Sequence, residues 1–324
     1  MNSYEKTIAR LMFKSLAARV NGMAFQNVFT QIMSYASPDF APVKPQGSEG
    51  DWKNDGHEPA SGKYYQVYAP EVFDEGGAVK KIAEDFSGLV AKWGDGKVYP
   101  IGVKEFYFVI NDVYRITPGV YPTTYSTLQS LKTTHSLTVC KPFLTKDLED
   151  KLLALQDDQV MVVVGPFPNP ADIKVLRVDL VSEVVGHIIH NPVARSLKQS
   201  LIDPDFEAKI AFNNLTLTAT WLREADYRRS VVDLYFKQNS SFSRQDVRDK
   251  LKAIYEDGKN KGFTNDPAGA TAEDELFFYI LREITPEPED ATDKRAFKDL
   301  QDAALVVMAY FFEACDIFEE PPKC

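Results

Sequence analysis

The sequence predicts an α/β domain followed by an all-α bundle, and three observations support this division. Segments with strand-type patterns occur only in the first 165 residues. A proline-rich stretch at residues 166–170 then interrupts the pattern. Beyond it the apolar residues recur with a helical period, and no convincing strand follows. We therefore expect domains at residues 1–165 and 171–324, joined by a linker at 166–170.

The first half carries its predicted elements in the order α, β-β-β, α-β and then further α-β units, which is typical of a sheet covered by helices. A helix is predicted at 4–20, and a second helix, GMAFQNVFTQIMSYAS, begins after Asn21. Thr145 is the predicted N-cap of a later helix. The remaining strands are predicted at 39–46, 52–58, 63–68, 105–110, 137–143 and 159–165, and the remaining helices at 76–93, 123–133 and 145–155.

The second half is predicted to be helical throughout. Its final helix, from about Lys294 to Phe318, is apolar on nearly all sides, so other helices must surround it. The segment LTLTAT (215–220) is ambiguous, because alternating threonines favour a strand but the segment continues into an amphipathic helix. Ser243 is a predicted N-cap. The other helices are predicted at 171–190, from 204, and at 221–236, 244–258 and 272–284.

The composition indicates a reducing compartment and no membrane anchor. Three cysteines, Cys140, Cys315 and Cys324, are too few and too scattered for a disulfide framework or a zinc knuckle. No run of about 18 apolar residues is present to span a bilayer, and the N-terminus does not begin a secretory signal. We therefore expect a soluble, cytoplasmic protein.

The net charge of −10 is unevenly divided along the chain. Residues 1–170 hold 17 Lys and Arg against 19 Asp and Glu, whereas residues 171–324 hold 20 against 28. Because an acidic surface repels phosphate, we expect contact with DNA in the first half and a protein partner for the second. Ordinary solubility charge explains the acidity of the second half equally well.

A metal site is predicted where a turn carboxylate meets the next strand. Metal-dependent cleavage of a phosphodiester needs oxygen ligands for Mg²⁺ or Mn²⁺ and a cation that offsets charge in the transition state. Asp55 lies at the predicted bend, and Gln66 and Tyr68 share one face of the following strand, because side chains alternate with a period of two. Gln26 lies in the apolar stripe of the second helix, where a polar side chain needs a partner. We expect Asp55 and Gln66 to hold the metal and Gln26 to support it.

The segments FQNVF (25–29), GDWKNDG (50–56) and YQVY (65–68) carry a resemblance to a known family. In order and in kind they resemble motifs of the Mrr-like branch of the restriction-endonuclease superfamily. The resemblance covers roughly residues 20–115. It implies a core with the element order αβββαβ, a metal-dependent endonuclease activity and a strand motif Gln-x-Lys in place of the acidic motif.

The chain departs from that family at two positions. Tyr68 occupies the place of the motif lysine, and Gln26 occupies a position that is often Glu. A tyrosine hydroxyl donates a hydrogen bond but carries no charge at neutral pH. Either the lysine has migrated, and Lys80 or Lys81 positions water or phosphate together with Tyr68, or the site is inactive. Lys63 is the poorest substitute, because alternation points it to the opposite face of the strand.

Simpler explanations exist for several of these residues. Asp51 and Asp55 each adjoin a glycine, and Asp-Gly is a common turn signal, so each of them alone is more often a turn residue than a ligand. His57 is expected on the surface. His187 and His190 lie three apart on a predicted helix, and packing explains them better than metal binding. Gln66 is harder to explain in this way, because it places an amide on an otherwise aromatic strand.

In the second half, the segments MAYFFEACDIFEEP (308–321) and ATWL (219–222) carry a further resemblance. They are similar to the C-terminal domains of effector subunits in bacterial three-component defence systems built around an SMC-like ABC ATPase, the Lamassu type. The resemblance implies a toxic N-terminal domain joined to a domain that docks on the ATPase and a third subunit. The alternative is a self-contained bundle that stabilises a homo-oligomer such as a dimer.

Together these patterns predict a Mg²⁺- or Mn²⁺-dependent DNA endonuclease that is the effector subunit of an antiphage complex. The alternative is a catalytically degenerate nuclease-fold module that acts as a DNA-binding or structural adaptor in the same kind of complex. An RNA-directed or nicking nuclease is a third, more distant hypothesis. The P-loop and Gly-x-Ser-x-Gly motifs are absent, which argues against P-loop ATP binding and an α/β-hydrolase.

Overall fold

The computed structural model describes residues 1–44, 50–94, 96–112, 118–168, 176–192, 206–239, 243–266, 269–290, 292–313 and 317–321. The chain divides into two compact units. One, Ala17–Val163, contains the sheet and is here called the sheet unit. The other, the helical unit, combines Met1–Leu16 with Val164–Cys324. The helical unit thus includes the N-terminal residues that the sequence placed in the first domain.

The strands of the sheet unit are β1 (Ala41–Pro42), β2 (Gly56–Glu58), β3 (Lys63–Tyr68), β4 (Glu105–Ile110) and β5 (Val139–Phe143). Its helices are α2 (Gly22–Ala36), α3 (Glu75–Trp93), α4 (Pro122–Thr134), α5 (Thr145–Leu153) and all but the last residue of α6 (Asp157–Val164). Most of α1 (Ser3–Arg19) belongs to the helical unit, because the sheet unit begins at Ala17. The first two strands are shorter than predicted, and residues 45 and 46 of the first lie outside the described part.

The five strands form one mixed sheet in the order β1-β2-β3-β4-β5. β1, β2 and β3 form an antiparallel meander, and β4 and β5 extend it in parallel pairing. From α2 to β4 the elements follow the order α-β-β-β-α-β, as predicted. On β3, Tyr64 packs with Phe86 of α3, whereas Tyr65 packs with Phe29 of α2 at 5.6 Å between ring centroids. Even-numbered positions of β3 therefore face α3.

Residues 159–164 of the segment predicted as a strand at 159–165 lie in helix α6, so that prediction is wrong. Asp157 lies in its first turn, where a carboxylate stabilises the helix N-terminus. Val160 and Val164, one turn apart, are buried, whereas Val162 between them is exposed. A short apolar run does not distinguish a buried strand from a helix, and here the four-residue spacing decides for the helix.

Thr145 is the first residue of α5, not its N-cap as predicted. The N-cap is Leu144, whose N–H donates to Asp147 Oδ2 at 2.8 Å. The hydroxyl of Thr145 instead donates to Asn111 Oδ1 and accepts from the N–H of Asp112, each at 3.2 Å. The start of α5 is therefore tied to the loop that follows β4.

Among its described residues the helical unit contains helices and no strand, as predicted. They are α7 (Val178–His190), α8 (Phe206–Phe212), α9 (Ala219–Asp226), α10 (Arg229–Gln238), α11 (Arg244–Asn260), α12 (Ala272–Ile284) and α13 (Lys294–Glu313). α13 packs against α7, α9, α10 and α12, and its residues 303–312 are all buried. Within the described ranges no helix has the length and apolar character needed to cross a membrane.

Several helix boundaries differ from the predictions. The helix predicted at 221–236 is divided into α9 and α10 at Tyr227 and Arg228. α13 ends at Glu313, and Phe318, the predicted end, has a φ of 66° that a helix does not accommodate. Residues 171–175 of the helix predicted at 171–190 lie outside the described part.

The segment LTLTAT does not form a strand. The hydroxyls of Thr216 and Thr218 each donate to the carboxylate of Asp274 at 2.7 Å, and the N–H of Leu217 donates to it as well. Asp274 also accepts from Thr271, the N-cap of α12. The alternating threonines are therefore donors to one buried carboxylate.

A buried ion pair stabilises the helical unit. Lys14 Nζ contacts Glu275 and donates to Asp266 Oδ2 at 3.0 Å. Lys14→Ala leaves the buried carboxylate of Glu275 without its cation, so we expect the free energy of unfolding to fall by about 3–5 kcal/mol, measured by chemical denaturation. Lys6→Ala, at an exposed position of the same helix, should change it by less than about 0.5 kcal/mol. An equal loss in both variants would contradict the role of the ion pair.

Candidate functional site

Asp55 lies immediately before β2 and connects α2 with β3. Its N–H donates to the carbonyl of Tyr65 at 3.0 Å, and its Oδ2 accepts from the N–H of Val67 at 2.6 Å. Its Oδ1 accepts from Gln26 Nε2 at 2.5 Å. The structure thus brings two of the predicted site residues, Asp55 and Gln26, into direct contact. Asn54 accepts from the N–H of Gly56 and so shapes the bend.

Gln66 is buried on β3, with an oxygen atom that is free to bind a ligand. The β2–β3 register pairs Gly56 with Tyr65, and its continuation puts Asp55 across from Gln66. Gln66 is only 5% exposed, and its Oε1 has no hydrogen-bond partner among the described residues. A buried carbonyl oxygen without a donor is costly unless it serves a ligand or an ordered water.

A second carboxylate, Asp51, adjoins Asp55. Burial raises the pKa of Asp55 to about 7, the N–H of Val67 opposes this, and the charge and hydrogen bond of Asp51 and the charge of Asp85 raise it further. Two carboxyl groups in contact repel each other when both are ionised, and a bound cation relieves this repulsion. The sequence interpretation treated Asp51 as a turn residue only, although it stands four positions before Asp55.

α3 contributes a buried carboxylate that sequence reasoning missed. Asp85 is fully buried, and its Oδ1 lies 3.1 Å from Lys53 Nζ and 3.0 Å from Lys81 Nζ. Lys81 therefore lies near the site but is paired with Asp85. Lys80 pairs with Glu84 at 3.7 Å, and its side chain is 76% exposed, so the structure does not bring it to the site.

Lys53 is a cation beside this site that sequence reasoning also missed. Trp52 and Lys53 have φ values of 56° and 63°, a conformation that bulky residues adopt at a cost of about 1–3 kcal/mol each. A Cβ on Gly88 of α3 would lie 2.7 Å from Lys53 Cγ, so the glycine leaves room for the lysine side chain. The charges of Asp85 and Asp51 raise the pKa of Lys53, and burial opposes them. No spacing rule identifies Lys53, because its position depends on the left-handed turn.

Tyr68 lies at the end of β3, on the α3 face, where the resemblance implies a lysine. Its ring stacks on Phe108 at 5.5 Å, and its hydroxyl approaches Gly77 at the start of α3. Burial raises the pKa of Tyr68, and the charges of Asp74 and Asp85 raise it further. The hydroxyl is therefore neutral at physiological pH and offers a hydrogen bond without charge.

The histidines do not join the site. His57, expected on the surface, is buried on β2 and stacks on Tyr64 at 5.5 Å, because its position in the strand turns it into the aromatic core, and burial lowers its pKa. His187 Nε2 contacts the carbonyl of Glu283 at 2.9 Å, and His190 Nδ1 contacts the carbonyl of Gly186 at 2.6 Å. Each of these two histidines has a backbone partner, which agrees with packing.

The oxygen atoms at Asp55 fit a hard divalent cation. No group of three or more His, Cys, Asp or Glu side chains in the described part of the chain has the arrangement of a metal site. Mg²⁺ nevertheless needs only one or two carboxylates, because it retains several waters. Asp55, Asp51 and the free Oε1 of Gln66 supply oxygen ligands of this kind, and Asp55 has lone pairs beyond those that accept from Gln26 and Val67.

Comparison with known protein families gives a match in the second half of the chain. Residues 179–319 match one family model, described as C-terminal domain 10 of the ABC-three component (ABC-3C) systems. The match supports a place for the chain in such a multi-subunit antiphage system, in agreement with the resemblance of the second half. No curated protein and no solved structure matched the chain.

Proposed function

We propose that the chain is the effector subunit of an ABC-three component antiphage system and that its sheet unit is a metal-dependent DNA endonuclease. The observation that carries the proposal is the junction of Asp55 with Gln26 and β3, at the register position across from Gln66, whose Oε1 has no partner among the described residues. The element order α-β-β-β-α-β, which the Mrr-like resemblance implies, supports it.

Each residue of the junction has a distinct role in this proposal. Asp55 and Gln66 hold Mg²⁺ or Mn²⁺, and Asp51 adds a second carboxylate. Gln26 fixes the orientation of the Asp55 carboxylate by donating to Oδ1. The bound ion would lower the pKa of a water and stabilise charge on the phosphate. Tyr68 donates a hydrogen bond to phosphate or water.

In the helical unit, the part matched by the family model docks on the other subunits of the system. The partners are the SMC-like ABC ATPase and a third subunit that the resemblance implies. The surplus of acidic residues in the second half suits contact with a protein more than with DNA. In this account DNA binds to the sheet unit, and the complex controls when it is cut.

The experiment that tests the proposal uses the chain assembled with its partner subunits. The complex is incubated with DNA in Mg²⁺, in Mn²⁺ or in a chelator, and the products are separated by size. We expect cleavage with metal and none with the chelator. A complex that protects cells from phage but cleaves DNA with neither metal would overturn the nuclease assignment.

A specific observation favours the alternative, a degenerate adaptor. The lysine of the family motif is replaced by the uncharged Tyr68, and Lys81 is paired with the buried Asp85. An adaptor of this kind would bind DNA or a protein without cutting. It would show equal DNA affinity in Mg²⁺ and in a chelator, with intact DNA in both.

Lys53 is our candidate for the missing cation of the nuclease. It also contacts Asp85, but its side chain is 45% exposed, against 32% for that of Lys81. We expect Lys53→Ala to slow cleavage by about 10–100-fold, because a positive charge near the phosphate stabilises the transition state. Lys53→Arg keeps the charge and should retain part of the activity. Lys80→Ala, at an exposed lysine of the same unit, is the control and should leave the cleavage rate unchanged. Equal rates for Lys53→Ala and Lys80→Ala would exclude Lys53.

A further inference from the structure

A cavity of about 340 Å³ lies in the sheet unit, next to the end of β3 that carries Tyr68. Asn111 and Asp112 follow β4 directly, and Ile110, the last residue of β4, pairs with Tyr68. In α/β sheets, ligands bind in the crevice outside the carboxyl ends of the strands. The cavity is lined by Phe73, Asn111, Asp112, Pro118, Gly119, Val120, Tyr121 and Pro122.

One buried polar atom in this cavity is left for a ligand. Asp112 is 7% exposed, and its Oδ2 accepts from the N–H of Gly119 at 2.9 Å. Its Oδ1 is buried and has no hydrogen-bond partner among the residues that the structure describes. Only one of the two carboxylate oxygens of Asp112 therefore has a donor in the described part of the chain. A ligand that donates a hydrogen bond would satisfy the other.

Two aromatic side chains also line the cavity. Phe73 and Tyr121 stack with their ring centroids 5.5 Å apart and their planes at 14°. Phe73 also lies 6.2 Å from the ring of Tyr68, which connects this aromatic pair to the candidate metal site. A flat heterocycle stacks on such a pair, and this contact tolerates different bases.

From this geometry we infer that the cavity binds a nucleobase that carries an exocyclic amino group, and that Asp112 Oδ1 accepts a hydrogen bond from that amino group. A carboxylate accepts from the amino group of cytosine, whereas uracil and thymine present a carbonyl oxygen at the same position. The cavity therefore discriminates against them. The inference extends the proposed nuclease function by naming which bases the sheet unit reads beside its metal site.

The base could belong to a nucleic acid strand or to a free nucleotide, and one experiment separates the two. The full-length chain is titrated in a chelator, so that no cleavage occurs, against labelled dC and dU octamers and against CMP and UMP. The cytosine and uracil members of each pair differ only in the groups of the base edge. We expect dC to bind about tenfold more tightly than dU. The same preference with CMP assigns the site to a free nucleotide, and a preference in the octamers alone assigns it to a strand.

Asp112→Asn gives the sharpest test. The asparagine oxygen can still accept from the N–H of Gly119, and its amide then presents a donor to the cavity in place of an acceptor. We expect the preference to reverse, so that dU binds more tightly than dC. Reversal is a gain of binding that a misfolded variant cannot produce. Unchanged preference in Asp112→Asn, or equal binding of dC and dU by the natural chain, would overturn the inference.

Two further variants separate this inference from the nuclease proposal. Tyr121→Ala should weaken the binding of the dC octamer and of the dU octamer to the same extent, because it removes stacking and leaves Asp112 in place. Asp55→Ala should keep the dC preference in the chelator. If Asp55→Ala does not affect cleavage but the dC preference holds, the assignment of the catalytic site to Asp55 fails and the base site stands. If cleavage depends on Asp55 but Asp112→Asn binds as the natural chain does, the base site fails alone.

Discussion

Asp55→Ala is expected to abolish metal-dependent DNA cleavage and protection against phage. The substitution removes both oxygens that accept from Gln26 and Val67 and deprives the cation of its central ligand. Loss of a residue that merely orients a metal ligand costs about 10–100-fold, so we expect loss of the ligand itself to cost at least about 100-fold. Gln66→Ala removes the unpartnered Oε1, and because a neutral amide oxygen attracts the cation less than a carboxylate does, we expect the smaller loss of about 10–100-fold.

These effects are measured as the cleavage rate of the assembled complex and as plaque counts on cells that carry the system. Asp39→Ala is the matched control, because Asp39 is an exposed aspartate of the same unit. Its cleavage rate and protection should equal those of the natural chain. If Asp55→Ala and Gln66→Ala both leave DNA degradation and protection intact, the catalytic assignment of this junction is wrong.

The affinity for the divalent cation is expected to fall steeply as the pH drops below about 7. A proton and a metal ion compete for the carboxylate of Asp55, whose pKa burial raises to about 7. Below that value the apparent affinity should decrease by about tenfold per pH unit, so at pH 5.5 it should be about 30-fold weaker than at its plateau. Calorimetric titration with Mn²⁺ at a series of pH values measures this dependence.

The metal-free protein should show the opposite sign in its stability. The pKa of Asp55 is raised in the folded state, so its contribution is fully present below about pH 4 and is lost as the pH rises through 7. Glu275 of the helical unit also has a pKa raised to about 7, mainly by burial, and contributes to stability with the same sign. Asp55→Asn removes only the first contribution to stability, and it should bind no measurable Mn²⁺ at any of these pH values. A metal affinity that is constant between pH 5.5 and 8 would contradict the assignment of Asp55 as the ligand.

Local sequence patterns predicted the part of the site that lies within one turn and one strand. The bend at Asp55 follows from the adjacent glycine, and the common face of Gln66 and Tyr68 follows from strand alternation. Gln26 was expected to support the site because a polar residue in an apolar stripe needs a hydrogen-bond partner, and in the structure it contacts Asp55. The first two features depend on short spacings along the chain, whereas the contact of Gln26 joins residues 29 positions apart.

Lys53 and the buried carboxylate of Asp85 could not be predicted in this way. Asp85 reaches the site because of the rotation of α3 about its own axis where it packs on β3. The helical period of the apolar residues does not specify that rotation. The position of Lys53 depends on two successive residues in the left-handed conformation, Trp52 and Lys53 itself. Neither residue type predicts that conformation from the sequence. The partner choice of Lys81, which pairs with Asp85, depends on the same packing.

Outside the site, the wrong predictions share a physical origin. The apolar run in α6 is compatible with a strand or a helix, and its burial pattern decided between them. His57 was expected on the surface because it follows a loop motif, but pairing of β2 with β3 turns it against Tyr64. In both cases tertiary contacts, rather than local propensity, determined the result.

The most direct measurement of the central claim is anomalous X-ray diffraction from crystals of the chain that contain Mn²⁺. The account predicts one anomalous peak bonded to the carboxylate of Asp55 and to Oε1 of Gln66, and its loss in crystals of Asp55→Asn. A map with no peak there, or coordinates in which these two side chains face apart with apolar atoms between them, would contradict the metal site and leave a non-catalytic scaffold.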